Sequence, residues 1–296
     1  MKGFEFVSAK DARHAIALLA EHGPKARILA GGTDLLVDLK SVPEAPTAVI
    51  DISRAADMTG IKVTDRGLVI GALATHSEIM SSPEIRDRFP ALVDAAHTIG
   101  AVQTRSLGTL GGNLVTAVPS LDSGPTLIAL EALVTVAGPG GSREMPLSEF
   151  FVGPRRTALK PGELLVDVVI PKKNLGKPAG FQKFGLRKGQ ALALVNTAAS
   201  FWLDPAKKIF IEPCLALGAV APTVIRAPKA EAYLAGKKVT PEAMAEAGRI
   251  AAGEAKPISD FRASADYRRD LIAVLTKRSL EGALAVAERN QKESRK

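Results

Sequence analysis

The sequence predicts an α+β protein built from two parts of different organisation. Over roughly the first 175 residues, helix-like and strand-like segments alternate. Beyond them, three strand-like segments come first and three helical segments follow, which is typical of a separate α+β unit. Between the two parts, "KKNLGKPAG" (172–180) has the composition of a linker, with little to bury. We therefore place the boundary near residue 175.

Periodicity and turn residues predict the elements of the first part in order. Residues 8–26 predict a helix, because Ser8 and Asp11 have the spacing of a capping box and Gly23-Pro24 ends the apolar stripe. The later segments are strands at 26–30 and 47–53, a strand that leads into a helix near Thr75 over 67–79, a helix at 90–100, a helix–strand–turn–strand–helix series over 123–151, and a strand at 162–171.

The second part predicts three strands and then three helices. Asp204 to Lys207 ("DPAK") forms the turn of a hairpin between the last two strands. The strands are 181–188, 191–204 and 208–220, and the helices are Lys229–Ala235, Pro241–Gly253 and about Ala263 to Asn290.

Composition narrows the class of protein. The 296 residues are 46% hydrophobic and 24% charged, as in ordinary globular domains, and the net charge is +8. The basic residues are spread out and lack interleaved aromatic residues, so they favour a solvated surface or an acidic partner over nucleic acid.

The cysteine count and the first residues limit the cofactors and the location. One cysteine, Cys214, excludes a disulfide or a Cys-rich metal or iron–sulfur site within the chain, and we expect it to be a small buried hydrophobe. The first 15 residues contain no long apolar run, so we expect no signal peptide, no membrane span and a cytoplasmic location.

Two Gly-Gly steps, about 80 residues apart, follow apolar segments. They are Gly31-Gly32 in "RILAGGTDLL" (27–36) and Gly111-Gly112 in "GTLGGNLVTAVPSLDSGP" (108–125). Without a Cβ, successive backbone N–H groups can surround an anion, and a following or preceding threonine adds a hydroxyl. Neither step matches a mononucleotide P-loop or a Rossmann fingerprint. Each alone is typical of a structural turn, but the pair favours a dinucleotide held in another way.

Three stretches carry a resemblance to a known family. Taken together, "ILAGGTDLL", "TRSLGTLGGNLVTAVPSLDSGP" and "GFQKFGLRK" resemble the FAD-binding (medium) subunit of molybdenum hydroxylases, the family of xanthine dehydrogenase and carbon monoxide dehydrogenase flavoproteins. The resemblance covers roughly residues 1–285. It implies an FAD-binding fold of the vanillyl-alcohol oxidase/p-cresol methylhydroxylase type in 1–175, with α/β subdomains at about 1–55 and 56–175. A C-terminal domain like that of the carbon monoxide dehydrogenase flavoprotein, a three-stranded antiparallel sheet with a helical bundle, would occupy 176–290.

The resemblance also implies a cofactor site. The two glycine segments would hold the FAD diphosphate through Ile28, Leu29, Ala30, Gly31, Gly32, Thr33, Asp34 and Leu35, and through Thr109, Leu110, Gly111, Gly112 and Asn113. No catalytic or metal-binding residue is implied for this chain.

Single residues outside the glycine segments have implied roles as well. Asp122 would accept a hydrogen bond from a ribityl or ribose hydroxyl; as an alternative it caps the helix that follows. Lys183 would stabilise the reduced flavin ring, or it is a solvated strand charge. Ile99 and Leu164 would line the cofactor pocket, or simply pack in the core.

The surroundings of the flavin ring are less well defined by the pattern. Leu192 matches a bulky residue near the ring, and the residue before it, often acidic in the family, is Ala191 here. His76 lies in a family-typical stretch, where we expect a structural role at a helix start. Neither His76 nor His97 matches a covalent flavin attachment, so we expect non-covalent FAD.

The resemblance implies an electron-transfer subunit. Substrate would be hydroxylated on a molybdopterin-binding large subunit, and electrons would pass through the [2Fe–2S] clusters of a small subunit to FAD here, and then to NAD, O2 or another acceptor, in a dimer of heterotrimers. Two alternatives stay open. One is a self-sufficient flavin-dependent oxidase of the same fold, although Tyr233 and Tyr267 are the only tyrosines available. The other is a non-enzymatic assembly protein.

Overall fold

A computed structural model describes residues 3–41 and 43–293, and the part before residue 172 contains two main sheets. In chain order its elements are β1 (Glu5–Ser8), α1 (Ala12–His22), β2 (Arg27–Leu29), α2 (Leu35–Asp38), β3 (Ala48–Asp51), β4 (Ile61–Thr64), β5 (Gly67–Gly71), α3 (His76–Ser81), α4 (Pro83–Arg88), α5 (Pro90–His97), α6 (Val102–Leu107), α7 (Leu110–Thr116), α8 (Ser123–Ala129), β6 (Leu133–Gly138), β7 (Gly141–Pro146), α9 (Leu147–Phe150), β8 (Phe151–Gly153), β9 (Arg156–Thr157) and β10 (Leu164–Pro171).

The two sheets differ in strand direction. The first has the order β1-β3-β2 with parallel pairing, and the second has the order β4-β5-β10-β6-β7 with antiparallel pairing. β10 is the central strand of the second sheet, and its residues 168–170 are buried, as expected for a strand that is covered on both faces. The first sheet is built from strands within residues 5–51, and the second from strands within residues 61–171.

The part after residue 178 is an antiparallel sheet covered by helices. Its elements are β11 (Ala179–Gly185), β12 (Ala193–Leu203), β13 (Phe210–Gly218), β14 (Ile225–Arg226), α10 (Pro228–Leu234), α11 (Pro241–Glu254) and α12 (Ala265–Glu293). The three predicted strands are present in the order β11-β12-β13, and the two-residue β14 extends them. The hairpin turn is also as predicted, since Oδ1 of Asp204 accepts hydrogen bonds from the amides of Ala206 and Lys207.

The two parts share buried surface. All seven residues of α8 are buried, and this helix packs against β12 and β13. The larger of two apolar clusters therefore continues from the first part into the second through Phe181, Ala198 and Ala216. Cys214 is fully buried between the two parts of the chain, as predicted.

The segment expected to be a linker with little to bury is in fact buried, so that expectation is wrong. Asn174 and Lys177 have no exposed surface. The Asn174 amide donates to the carbonyl of Leu130 at 3.0 Å and to the carboxylate of Glu131 at 2.8 Å. Polar composition misleads here because the Asn174 side chain is buried as a hydrogen-bonding partner of the turn after α8, and the Lys177 ammonium lies 4.0 Å from the Glu131 carboxylate of the same turn.

Two predicted helix starts have different outcomes. The start near Thr75 is confirmed, with a capping box between Thr75 and Glu78. The start at Ser8 is wrong: α1 begins at Ala12, and the Asp11 carboxylate caps it by accepting from the amide of His14 at 2.7 Å. Ser8 instead ends β1, a mostly exposed edge strand whose sequence lacks a clear apolar pattern.

The described residues, 3–41 and 43–293, include no helix with both the length and the apolar character needed to cross a bilayer.

Candidate functional site

A cavity of about 1300 Å³ collects most of the predicted site residues. Only Leu29, Leu110 and Lys183 are not part of its lining. The predicted residues that do line it are Ile28, Ala30, Gly31, Gly32, Thr33, Asp34, Leu35, Ile99, Thr109, Gly111, Gly112, Asn113, Asp122, Leu164 and Leu192. The cavity exceeds the usual range of small-molecule pockets, about 300–1000 Å³, and can hold a long ligand.

The segment between β2 and α2 presents a run of unused donors. None of the five consecutive backbone amides from Gly31 to Leu35 donates a hydrogen bond to any residue that the structure describes. Gly32 has φ +72°, a left-handed conformation that turns the chain within this run. The Thr33 hydroxyl also has no partner among these residues. This is the anion-binding arrangement that the first Gly-Gly step predicts.

Gly31, unlike Gly32, is required for close contact between two main-chain segments. A Cβ on Gly31 would lie 1.8 Å from the carbonyl oxygen of Leu107 and 3.1 Å from Cα of Gly108. The first glycine segment is therefore in backbone contact with the connection between α6 and α7. Gly31 is needed for this close approach, and the two glycine segments lie side by side because of it.

The second glycine segment is a helix start and not an open loop. Thr109 is the N-cap of α7, and its hydroxyl oxygen accepts from the amide of Gly112 at 3.1 Å. The amides of Leu110, Gly111 and Asn113 all donate to backbone carbonyls. Of the amides in this segment, only that of Thr109 donates to no residue that the structure describes, so this main chain offers fewer free donors than the first segment. Its contact with an anion stays a prediction.

In the second glycine segment, side chains provide hydrogen-bond donors to the cavity. The Thr109 hydroxyl accepts one hydrogen bond and keeps its proton available. Oδ1 of Asn113 accepts from the Ser123 hydroxyl at 2.7 Å, which leaves the Asn113 amide protons free. A Cβ on Gly111 would lie 2.7 Å from that of Ala72, so Gly111 serves packing, whereas one on Gly112 would meet only the Thr109 hydroxyl oxygen at 2.9 Å.

Asp122 and Lys183 form a buried ion pair behind the cavity wall. Nζ of Lys183 lies 2.5 Å from Oδ2 of Asp122 and donates to the carbonyl of Thr98 at 3.1 Å, and the two side chains are only 7% and 8% exposed. Asn196 donates to the other carboxylate oxygen at 2.9 Å. Burial raises the pKa of the Asp122 carboxyl, and the Lys183 ammonium opposes that rise.

These contacts decide between the alternatives for the pair. Asp122 occupies the N-cap position of α8, but its side chain makes no capping hydrogen bond and is bonded to Lys183 and Asn196 instead. Lys183 is not a solvated strand charge. Asp122 lines the cavity and Lys183 does not. The Lys183 ammonium can therefore influence a ligand in the cavity only through the Asp122 carboxylate that it contacts.

Apolar residues form the remaining walls. Ile99 and Gly100 follow α5, and Leu192 lies on the loop between β11 and β12. That loop is fastened across the cavity because the amide of Gln190 donates to the carbonyl of Gly100 at 3.0 Å. Leu164, at the start of β10, is buried in another wall.

The structure adds residues that the sequence did not assign to the site. His76 is the first residue of α3, as expected, but its side chain also lines the cavity, and only 2% of the residue is exposed. Burial, and secondarily the charge of Arg105, lower the pKa of His76 to about 4. Gln190 and the 159–163 stretch before β10 also line the cavity. Only the Pro161-Gly162 turn carried a signal in the sequence.

The donor set fits the diphosphate of a dinucleotide. Five free amides, two hydroxyl groups and one carboxamide converge where the two glycine segments meet, and the apolar walls suit flat rings. The bare main-chain surface at Gly32 and Gly112 lets a ligand approach closely.

Two family models match the chain. The model described as FAD binding domain in molybdopterin dehydrogenase matches residues 2–173, and the CO dehydrogenase flavoprotein C-terminal domain matches residues 181–283.

Individual relatives match over nearly the whole chain. The carbon monoxide dehydrogenase medium chain of Hydrogenophaga pseudoflava is 32% identical over 95% of this chain and 97% of its own length. The xanthine dehydrogenase FAD-binding subunit of Escherichia coli O157:H7 is 32% identical over 96% of this chain and 98% of its own. Among solved structures, carbon monoxide dehydrogenase from Hydrogenophaga pseudoflava superposes with a TM-score of 0.90 at 33% identity, covering 96% and 98% of the two chains. The chain therefore belongs to the FAD-binding medium subunits of the molybdenum hydroxylases, oxidoreductases of the carbon monoxide and xanthine dehydrogenase family.

Proposed function

We propose that this chain binds FAD non-covalently in the cavity between its glycine segments and carries electrons within a molybdenum hydroxylase complex. The observation that carries the proposal is the run of five unpaired amides from Gly31 to Leu35, facing the side-chain donors of Thr109 and Asn113. Charge-assisted hydrogen bonds from such preorganised donors are the usual means of holding a diphosphate.

The other predicted residues would position the two ends of FAD. Ile99, Leu164 and Leu192 provide apolar surface for flat rings. Asp122 would accept a hydrogen bond from a hydroxyl of the ribityl or ribose group, while Lys183 keeps it ionised and oriented. Bound FAD supplies the ability to take up electrons singly and release them in pairs.

The partner chains that we propose are a small iron–sulfur subunit and a large molybdopterin-binding subunit. The electrons would come from [2Fe–2S] clusters on a small subunit, after hydroxylation of the substrate at a molybdopterin-binding large subunit, and would leave to NAD, O2 or another acceptor. A dimer of heterotrimers in the cytoplasm is the assembly we propose. A similar chain, 34% identical, is the subunit alpha of the 6-hydroxypseudooxynicotine dehydrogenase complex of Paenarthrobacter nicotinovorans.

The self-sufficient oxidase gains no support from the cavity. Tyr233 lies on α10 beside Lys237, and Tyr267 packs edge-on against Phe184. Neither tyrosine is among the residues that line the cavity, so neither would stand over a bound flavin.

Titration of the purified, flavin-free chain with FAD tests the proposal. We expect saturable quenching of flavin fluorescence, competition by ADP, and full release of the flavin on acid precipitation. Gly112→Val should weaken binding at least tenfold, because its side chain would fill the cleft and displace the Thr109 hydroxyl. A chain that stays colourless after reconstitution, or a valine variant with unchanged affinity, would contradict the proposal.

The electron-transfer role needs the complex. The chain should be co-expressed with neighbouring genes for a Cys-rich small subunit and a molybdopterin-binding large subunit, and the complex should be purified through a tag on this chain. We expect substrate to bleach the flavin in the complex but not in the isolated chain. Bleaching of the isolated chain by an organic substrate would favour the oxidase alternative instead.

A further inference from the structure

The imidazole of His76 is a buried polar group without a partner among the residues that the structure describes. The residue is 2% exposed, and Nδ1 is fully buried without a hydrogen bond. Nε2 also makes no hydrogen bond to a described residue. A buried polar group left unpaired costs about 1–3 kcal/mol, so its presence calls for an explanation.

The ring lies where the two glycine segments meet. Its Cδ2 atom and the Thr33 hydroxyl oxygen both lie 3.5 Å from the point where a Cβ on Gly108 would stand. The backbone of the same residue is fixed, since the amide of His76 donates to the carbonyl of Gly108 at 3.1 Å. Nε2 is bonded to Cδ2, so this part of the ring lies next to Gly108, where the two glycine segments meet.

A helix-start role does not account for the side chain. The capping box of α3 is complete with Thr75 and Glu78, and it uses no atom of the imidazole. Arg105, the charged group that acts on the ring, is itself committed to the carbonyls of His97 and Ile99 and does not bond to the imidazole. A neutral imidazole keeps one N–H donor, and this one has only the cavity into which to point it.

We propose that His76 is a diphosphate-contacting residue, with Nε2–H as a donor to the dinucleotide beside Thr33. This rests on the proposed function, because the ligand is the FAD of that proposal. The bond from Nε2–H to an anionic oxygen is stronger than one between neutral groups. His76 thus adds a donor on the side where, among the described residues, the second glycine segment has only the Thr109 amide free.

Three substitutions separate a donor from a packing residue. In His76→Gln the side-chain NH2 occupies the place of Nε2, in His76→Asn it occupies the place of Nδ1, and His76→Leu fills the space without a donor. We expect the glutamine variant to bind FAD within about threefold of wild type, and the asparagine and leucine variants to bind at least tenfold more weakly. The affinity for ADP should fall in parallel, while that for riboflavin, which has no diphosphate, should not change. Near-ultraviolet circular dichroism and the Tm of each variant check the fold.

If a variant does not fold, a measurement on the wild-type chain can test the proposal instead. The chain has four histidines, so selective ¹⁵N-histidine labelling gives a simple spectrum. Addition of ADP should shift the Nε2 resonance of His76 and leave those of His14, His22 and His97 unchanged. Wild-type affinity in the leucine variant, or equal losses in all three variants, or a His76 resonance unmoved by bound ADP would overturn the assignment. Absence of FAD binding by the wild type would instead count against the proposed function.

Discussion

Replacement of Asp122 by asparagine removes the one carboxylate that pairs with the Lys183 ammonium within residues 3–41 and 43–293. In the variant, Nζ would keep the carbonyl of Thr98 at 3.1 Å but lose its counter-charge 2.5 Å away, in a place where the lysine side chain is 7% exposed. Removing one partner of a buried pair costs about 3–5 kcal/mol, because the remaining charge is neither solvated nor paired. Unfolding by urea, followed by circular dichroism on the flavin-free chain, should show a loss of this size.

The Tm gives a second measure of the same effect. At roughly 2–4 °C per kcal/mol for a domain of this size, the loss corresponds to a fall of about 6–20 °C. The matched control is Asp65→Asn, which removes an exposed charge and should change the free energy of unfolding by less than about 0.5 kcal/mol.

A double-mutant cycle isolates the pair. Combining Asp122→Asn with Lys183→Met removes both charges, so most of the lost stability should return, and the coupling energy between the sites should exceed about 2 kcal/mol. The reasoning fails if Asp122→Asn costs less than 1 kcal/mol, or if the two substitutions are simply additive, since either result means that the ammonium finds water or another partner in the folded protein.

Three further predictions concern other buried groups. In thermal unfolding, Gly111→Ala should lower the Tm by several degrees more than Gly112→Ala does, because the new Cβ at position 111 would lie 2.7 Å from the Cβ of Ala72. Equal Tm values for the two variants would contradict the packing role of Gly111. Burial and the charge of Arg105 lower the pKa of His76 to about 4 in the folded chain, so between pH 6.5 and pH 4 the unfolded chain takes up this proton before the folded chain does. On acidification over that range, the free energy of unfolding should therefore fall by about 3 kcal/mol more in wild type than in His76→Gln. Parallel pH profiles of the two proteins would show that His76 titrates normally. Burial raises the pKa of Cys214 to about 12, so iodoacetamide at pH 8 should label it only after unfolding in urea, and rapid labelling of the native chain would show that it is exposed.

Long elements with a regular apolar pattern could be predicted from the sequence. β10, α8 and the three long C-terminal strands have patterns that arise from the burial of whole faces, so the pattern and the structure have the same cause. The helix start near Thr75 was also predictable, because its capping box lies within four consecutive residues.

Elements stabilised by distant contacts could not be predicted in this way. α7 contains two glycines, which are poor helix formers, and it begins because its first amides bond to the carbonyls of Ala72 and Ala74. Lys183 meets Asp122 across 61 residues of chain, and local sequence gives no measure of that distance. The buried Lys177 was missed for the same reason, because lysine in a glycine- and proline-containing stretch is usually solvated.

The contact between Gly31 and the carbonyl of Leu107 has a consequence for how such a site can change. It is a contact of main chain with main chain, between the segment that follows β2 and the connection from α6 to α7. Substitution of side chains can reshape the apolar walls at Leu159 and Leu192, but it cannot widen the cleft at this point. If the site evolves or is redesigned to bind another dinucleotide, the changes should therefore begin at the apolar walls and leave the diphosphate-binding segments unaltered.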